Sequence, residues 1–304
     1  MIKRKNLICI FAIALGMAFA GCSSLSREGF PDNQKLNVAT SFYTMSDFAT
    51  KIGGDKVNVI NLVPSGMEPH DFEPKTGDIT KLKKAKVFIY NGAGMENWVD
   101  KVISSANNKD MVTVEASKDV KLLSESASNG AVKDPHVWLN PQNAIIEMSA
   151  IKDAFIKADP NNKVYYEQNF EANKLKLNDL DKEYKEAVLT FNGKEIVVAH
   201  AAFGYLCDAY GLKQIPIEGL TAESEPTAAK MAEISKYAKD NNIKVIFFEE
   251  LVSPKVAQTI ANEAGAKTDK LNPLEGITAE DRKNGKEYIS IMHDNLDALK
   301  RALN

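Results

Sequence analysis

Cysteine is nearly absent from this chain. There are three among 304 residues, and two of them, Cys9 and Cys22, fall near the start. Only Cys207 lies in what reads as the folded body, so an intramolecular disulfide is excluded and the core alone must hold the fold. Long apolar runs are equally scarce. The one stretch of note, residues 7–20, is too short to span a bilayer comfortably. A surplus of positive charge is missing as well: 38 Lys and Arg stand against 41 Asp and Glu, which argues against nucleic acid as a partner and favours a cationic ligand. Histidine is rare, four in all, so the position of each can be weighed singly.

What remains is the composition of a globular protein, 44% hydrophobic and 26% charged, without the low hydrophobicity of disordered chains. Lys3, Arg4 and Lys5 followed by the apolar run form an export signal over residues 1–21. The run Ala18-Phe19-Ala20-Gly21-Cys22-Ser23-Ser24 resembles a bacterial lipobox, with Phe19 where Leu is usual. Cys22 is therefore expected to carry lipid, each buried methylene adding about 0.8 kcal/mol of membrane affinity. Residues 22–34 then form a flexible spacer. Removing the signal lowers Lys and Arg to 35 against 41 acidic groups, a net charge near −6.

From residue 36 onward, short apolar strands alternate with amphipathic helices, ordered β-α-β-α-β-α-β up to residue 114, which predicts a parallel sheet with helices on its faces. Residues 117–133 are polar and read as a surface loop. Residues 164–189 hold no Pro or Gly. Tyr166, Phe170, Leu177, Leu180, Tyr184 and Val188 recur at helical spacing, with Asn173 in register, which predicts one long helix. After Asn192-Gly193 the strand–helix alternation restarts. The fold class is thus α/β: two lobes, each with a mostly parallel sheet flanked by helices, joined by one long, rigid helix. The expected boundaries are 35–160, 161–191 for the linking helix, and 192–304.

Three histidines fall on functional edges of such a fold. His70 ends the loop after the second strand. His200 directly follows the strand 195–199. His136 sits in Asp134-Pro135-His136-Val137-Trp138-Leu139-Asn140-Pro141, where both prolines disfavour helix in the residue before them and stiffen the segment. Asn140 is placed as the N-cap of the next helix, with Pro141 in its first turn. Ligands of α/β sheets bind beyond the carboxyl ends of the strands, so the three imidazoles point at one inter-lobe cleft. Three imidazoles and one carboxylate complete a tetrahedral zinc site. The fourth ligand stays open at this level: Glu275 follows the last strand, Glu249 and Glu250 follow another, and Glu223 and Glu225 are weaker candidates. His293 reads as a surface residue and Cys207 as a buried helix residue. Trp138 and Phe203 read as packing around the ligands. Asn91-Gly92-Ala93-Gly94 lacks the third glycine of a dinucleotide loop and reads as a tight turn.

Taken together, Pro69-His70-Asp71, the 134–139 segment, Ala199-His200-Ala201-Ala202-Phe203-Gly204-Tyr205, Glu223-Ser224-Glu225-Pro226 and Asn272-Pro273-Leu274-Glu275 resemble the substrate-binding lipoproteins of bacterial metal-uptake ABC transporters, in their zinc-type branch. The resemblance covers nearly everything from residue 36. It implies metal ligands His70, His136, His200 and Glu275, one Zn2+ per chain, and a monomer tethered to the extracytoplasmic face of the cell membrane. It also implies delivery of the ion to a membrane permease, with no bond made or broken. Asn272 stands where many relatives carry Asp, which supports Glu275. The manganese branch carries Glu where this chain has His200, so a manganese-binding member is the alternative within the family. A zinc metallohydrolase using Glu275 or Glu68 as base, and an adhesin, are alternatives outside it. The His-rich loop of many zinc members is missing, because residues 117–133 hold no His.

Overall fold

Leu36-Asn37-Val38-Ala39-Thr40 alternates weakly but is buried at four of its five positions, as a strand covered on both faces must be. It forms β1 (Leu36–Thr40) at the centre of the first lobe. In chain order there follow α1 (Tyr43–Gly53), β2 (Val57–Asn61), α2 (Thr76–Lys84), β3 (Val87–Tyr90), α3 (Val99–Ala106) and β4 (Val112–Glu115). In this computed structural model, which describes residues 29–31, 33–127, 130–220 and 226–304, these strands form one parallel sheet of order β2-β1-β3-β4. The export signal, Cys22, most of the spacer, Glu223 and Glu225 lie outside the described residues.

A short hairpin comes next, β5 (Ser124–Ala127) with β6 (Gly130–Lys133), paired antiparallel. This corrects the expectation that all of 117–133 is a surface loop. The run Ser128-Asn129-Gly130 is a turn signal, and its polar, non-alternating flanks hid the two strands in the sequence. The chain continues through α4 (Pro141–Ala158) and α5 (Lys163–Val188).

Helix α5 has 26 residues and is about 39 Å long at 1.5 Å per residue. Its buried face is Tyr166, Phe170, Asn173, Leu177, Leu180, Asp181, Tyr184 and Val188, the expected stripe with Asp181 added. The helix packs on α1 and α4 of the first lobe. The second lobe follows with β7 (Glu195–Val198), α6 (Gly204–Tyr210), β8 (Lys213–Pro216), α7 (Ala228–Asp240), β9 (Val245–Phe248), α8 (Lys255–Ala264), β10 (Lys267–Lys270), α9 (Ala279–Lys283) and α10 (Tyr288–Leu303). Helix α5 reaches it through α6 and α10, where the Tyr184 hydroxyl donates to the Met292 carbonyl at 2.7 Å. The one-turn-and-a-half helix α9 went unrecognised in the sequence, although Thr278 caps it by accepting from the Asp281 N–H.

The second sheet is also parallel, of order β10-β9-β7-β8. Both orders reverse once, between β1 and β3 in one lobe and between β7 and β9 in the other. Such switch points open a crevice beyond the strand ends. His200 follows β7 and Glu249 follows β9, so the second crevice is flanked by these two residues. At the first crevice the Asn91 side chain, directly after β3, donates to the Pro135 carbonyl at 2.9 Å and holds the His136 segment there. A continuous hydrophobic core joins the lobes beneath the site, with a smaller cluster around Val197, Ile246 and Ile260 under the second sheet. Among the described residues no helix is long and apolar enough to cross a membrane.

Candidate metal centre

His136 is fixed from three sides. Pro135 keeps Asp134 out of the helical basin; a 3-10 turn begins at Val137, and Asp134 accepts both the backbone N–H (2.9 Å) and the ring Nδ1–H (2.8 Å) of His136. A carboxylate only accepts, so Nδ1 carries the proton and Nε2 faces the other way. His200 repeats the device with a residue 49 positions away: Glu249 accepts its backbone N–H (3.2 Å) and its Nδ1–H (2.7 Å). Both imidazoles are fully buried.

Glu275 arrives on a loop held across the lobes. Trp138 Nε1–H donates to the Pro273 carbonyl at 2.7 Å, and the Thr44 hydroxyl donates to the Leu274 carbonyl. The Asn272 side chain accepts from the Leu274 N–H at 2.7 Å, while Asn295 brackets the backbone of Asn272. Leu274 is thereby held at φ +60°, the left-handed region that non-glycine residues visit rarely, and the turn delivers Glu275 inward. Asn272 thus fixes the backbone of this loop.

The result is four converging donor atoms. Glu275 Oε1 lies 2.8 Å from His136 Nε2 and 3.3 Å from both His70 Nε2 and His200 Nε2. The two buried Nε2 atoms of His136 and His200 are 3.4 Å apart, and all four ligand atoms lie within 4.8 Å of one another. A tetrahedron with bonds of about 2.0–2.1 Å has edges of about 3.3–3.4 Å, so the cage matches the size of a zinc-like ion. With Nδ1 of each ring committed to a carboxylate, neutral His136 and His200 would turn two bare lone pairs on each other. That arrangement is repulsive unless a proton or a cation sits between them.

The electrostatics favour a positive occupant. Burial opposes charge on both rings, yet Glu249 and Glu275 outweigh it and hold the His200 imidazole well above its usual range. Asp134 and Glu275 do the same, less strongly, for His136. Burial alone would raise Glu275, but His200, His136 and His70 hold its carboxyl well below the usual range. Without an ion, protons fill the role of a cation, and metal binding must displace them. Glu68, two residues before His70, accepts the His70 N–H at 3.4 Å. Burial, with the charge of Glu275, pushes its carboxyl up to about 9.

The structure therefore brings together His70, His136, His200 and Glu275. Glu249 stands behind His200 rather than in the cage, and Glu250 is tied to Lys270. His293 lies half-exposed, 3.2 Å from Glu183. Cys207 is buried away from the cluster, and burial pushes its thiol up to about 12. Trp138 packs edge-on to His136 at 5.5 Å between centroids and against Phe42 at 4.9 Å. Phe203 is buried, its N–H donating to Gln214, and Asn140 caps α4 by accepting from Gln142. The Asn91–Gly94 run is a tight turn with three successive positive φ values at Gly92, Ala93 and Gly94.

Sequence reasoning missed the carboxylates that orient the rings. Asp134 was visible two residues before His136, a spacing that lets one side chain reach both N–H groups. Glu249 had no local signal, because its partner is in another strand's loop. Gly204 was also overlooked: a Cβ there would lie 2.4 Å from Asp134 Oδ2, so the glycine makes room for the carboxylate. Next to it, the Tyr205 hydroxyl donates to the Asp134 carbonyl at 2.9 Å.

Two parallel α/β lobes spanned by one helix, with a cation-sized cage of three imidazoles and a carboxylate at their junction, define the class: a two-lobed cation-binding protein. Residues 38–302 match the family model described as ZnuA, zinc-uptake complex component A, periplasmic. The chain belongs to this ZnuA family. It is 43% identical to the high-affinity zinc uptake system protein ZnuA of Bacillus subtilis, over 100% of this chain and 99% of that protein. It is 38% identical to the zinc-binding lipoprotein AdcA of Streptococcus pneumoniae, over 98% of this chain but only 61% of AdcA. Among solved structures, the Zn(II)-bound ZnuA-like domain of that AdcA superposes with a TM-score of 0.78 at 42% identity, covering 88% of this chain and 99% of the domain.

Proposed function

We propose that this protein captures Zn2+ outside the cytoplasm, in a site made by His70, His136, His200 and Glu275, and passes it to the permease of an ABC transporter. The observation that carries this reading is the convergence of three Nε2 atoms on Glu275 Oε1, with the His136 and His200 tautomers fixed by Asp134 and Glu249. Three nitrogens and one carboxylate suit zinc, whereas manganese prefers more oxygen donors. A metallohydrolase needs an open coordination position and a free base. Glu275 is instead aimed at all three imidazoles and fills the fourth corner. In the proposed arrangement, residues 1–21 are the export signal and Cys22 bears the lipid that tethers a monomer to the membrane. Residues 35–160 and 192–304 act as the two lobes, and helix α5 restrains their relative motion.

Isothermal titration of chelator-treated protein with zinc tests the assignment. One ion per chain is expected, and His200→Ala should lose at least about 100-fold in affinity, since one of four ligands goes while Glu249 keeps no partner. A His200→Ala variant that binds as tightly as the parent would overturn it.

A further inference from the structure

Each strand of the first sheet is entered through lysine. Lys35 precedes β1, Lys56 precedes β2, Lys86 precedes β3, and Lys109 stands shortly before β4. Lys83 and Lys84 close α2 at the same end. Asn108 draws these elements together. Its side chain donates to the Ala85 carbonyl at 2.8 Å and the Leu82 carbonyl at 3.1 Å, which sets the Lys109 turn against the end of α2. Lys35, Lys83, Lys84, Lys86 and Lys109 are exposed, and among the described residues none of the five has an acidic partner. The acids at these strand entries are Asp55, held by Lys56 at 3.1 Å, and Asp110. The negative end of the α2 dipole accounts for Lys83 and Lys84, but not for the three lysines before strands. A chain of formal net charge −3 therefore gathers unpaired positive charge at one end, opposite the strand ends that build the cage.

The same end receives the chain from Cys22. Asn33 and Asn58 exchange side-chain hydrogen bonds at 2.7 and 3.3 Å. Asn33 also accepts the Lys35 N–H at 3.1 Å, and Phe30 packs against the core. The chain is thus pinned to the first sheet beside the lysines. Seven peptide links join Cys22 to Gly29, and they reach at most about 25 Å in any conformation. A lipid on Cys22 therefore keeps this end, and not the far lobe, near the bilayer. Helix α5 measures the difference. It starts here, where Asn169 donates to the Ile52 carbonyl at 2.9 Å, and runs about 39 Å toward the entry of β7. That far end also carries exposed lysines, Lys194, Lys244 and Lys267, but the chain from Cys22 does not enter there.

We propose that the lysine-bearing end of the first lobe rests on the anionic phospholipid surface of the membrane. The first lobe then stands on the bilayer, and the cage is held above the headgroups by at least the length of β1, about 17 Å. This rests on Cys22 carrying the lipid. Each lysine within a Debye length of an anionic surface multiplies the bound population about fivefold. The short tether supplies the local concentration that lets such weak contacts count.

Acetylation footprinting of the full lipidated protein on vesicles, read lysine by lysine by mass spectrometry after a brief pulse, tests this. On vesicles with about 30% phosphatidylglycerol, Lys35, Lys83, Lys84, Lys86 and Lys109 should react about fivefold more slowly than on neutral phosphatidylcholine. Lys194, Lys244 and Lys267 should not change. Raising salt to about 0.5 M should remove the difference. The triple variant Lys83→Gln, Lys84→Gln, Lys86→Gln should lose the protection at Lys35 and Lys109 yet bind zinc as the parent does. Equal reactivity on the two lipids, protection at both ends of the molecule, or protection that survives the triple substitution would overturn the proposal. Protection by soluble polyphosphate, with none on anionic vesicles, would assign the lysines to a soluble polyanion and overturn it too. A protein that floats with neither kind of vesicle would instead overturn the lipid on Cys22.

Discussion

Replacing Glu249 by Gln keeps the shape of the group behind His200 and removes its charge. Glu249 is 3% exposed, and its oxygen accepts two hydrogen bonds from His200, at 2.7 and 3.2 Å. The neutral amide still accepts, but it no longer raises the basicity of the ring or fixes which nitrogen is bare. Loss of such a partner behind a ligand typically lowers metal affinity about 10- to 100-fold, equivalent to about 1.4–2.7 kcal/mol. A second signature follows from the same contact. Because Glu249 holds the His200 imidazole above its usual range, zinc must displace a proton from the parent near neutral pH. Glu249→Gln should displace less. Titration calorimetry in two buffers of different ionisation enthalpy reads affinity and proton release together. An affinity within twofold of the parent, with the same proton release, would refute the orienting role given to Glu249.

Zinc affinity itself should fall steadily as pH drops. The raised imidazoles of His136 and His200 stay protonated to higher pH than free histidine, so competition by protons sets in from above pH 6.5 downward; a flat affinity between pH 8 and 5.5 would contradict this. Gly204→Ala should cost about 1–3 kcal/mol of stability by overpacking, because its Cβ would lie 2.4 Å from Asp134 Oδ2, and it should weaken zinc binding through His136. Urea melts and zinc titration of the same variant check both halves, and parent-like values in both would refute the contact. Glu147 is fully buried on α4 with both carboxyl oxygens unpartnered, and burial holds its carboxyl well above the usual range. The folded state therefore keeps a proton that the unfolded chain releases above about pH 4.5. Stability from this group is present at low pH and lost as pH rises toward the folded value, by at most about 1.4 kcal/mol per pH unit. Glu147→Gln should flatten that slope in metal-free urea melts from pH 5 to 8, and parallel curves would refute it.

The architecture was legible because periodicity survives in single elements. The stripe from Tyr166 to Val188 gave the long helix, and strands such as Val57–Asn61 and Glu195–Val198 gave the parallel sheets. The hairpin β5–β6 escaped because its sequence, Ser124 to Lys133, is polar and shows no alternation, and α9 because five residues are too few to show a period. For the site, strand order explains what could be read. His70 and His200 stand at strand ends in the linear sequence, and the prolines around His136 announce a rigid segment. The choice among Glu275, Glu249 and Glu250 needed the fold. All three follow strands of one sheet, and only the left-handed turn at Leu274 sends Glu275 into the cage, while Glu249 stops behind His200 and Glu250 turns out to Lys270. Strand position alone does not carry that distinction; in the sequence only the resemblance to the zinc-type lipoproteins pointed to Glu275.

X-ray absorption at the zinc edge of the loaded protein is the most direct test of the donor cage. Three imidazole nitrogens and one carboxylate oxygen at about 2.0–2.1 Å are expected, with the nitrogen count falling by one in His136→Ala. A spectrum showing sulfur, six oxygen donors, or no change in His136→Ala would contradict the account.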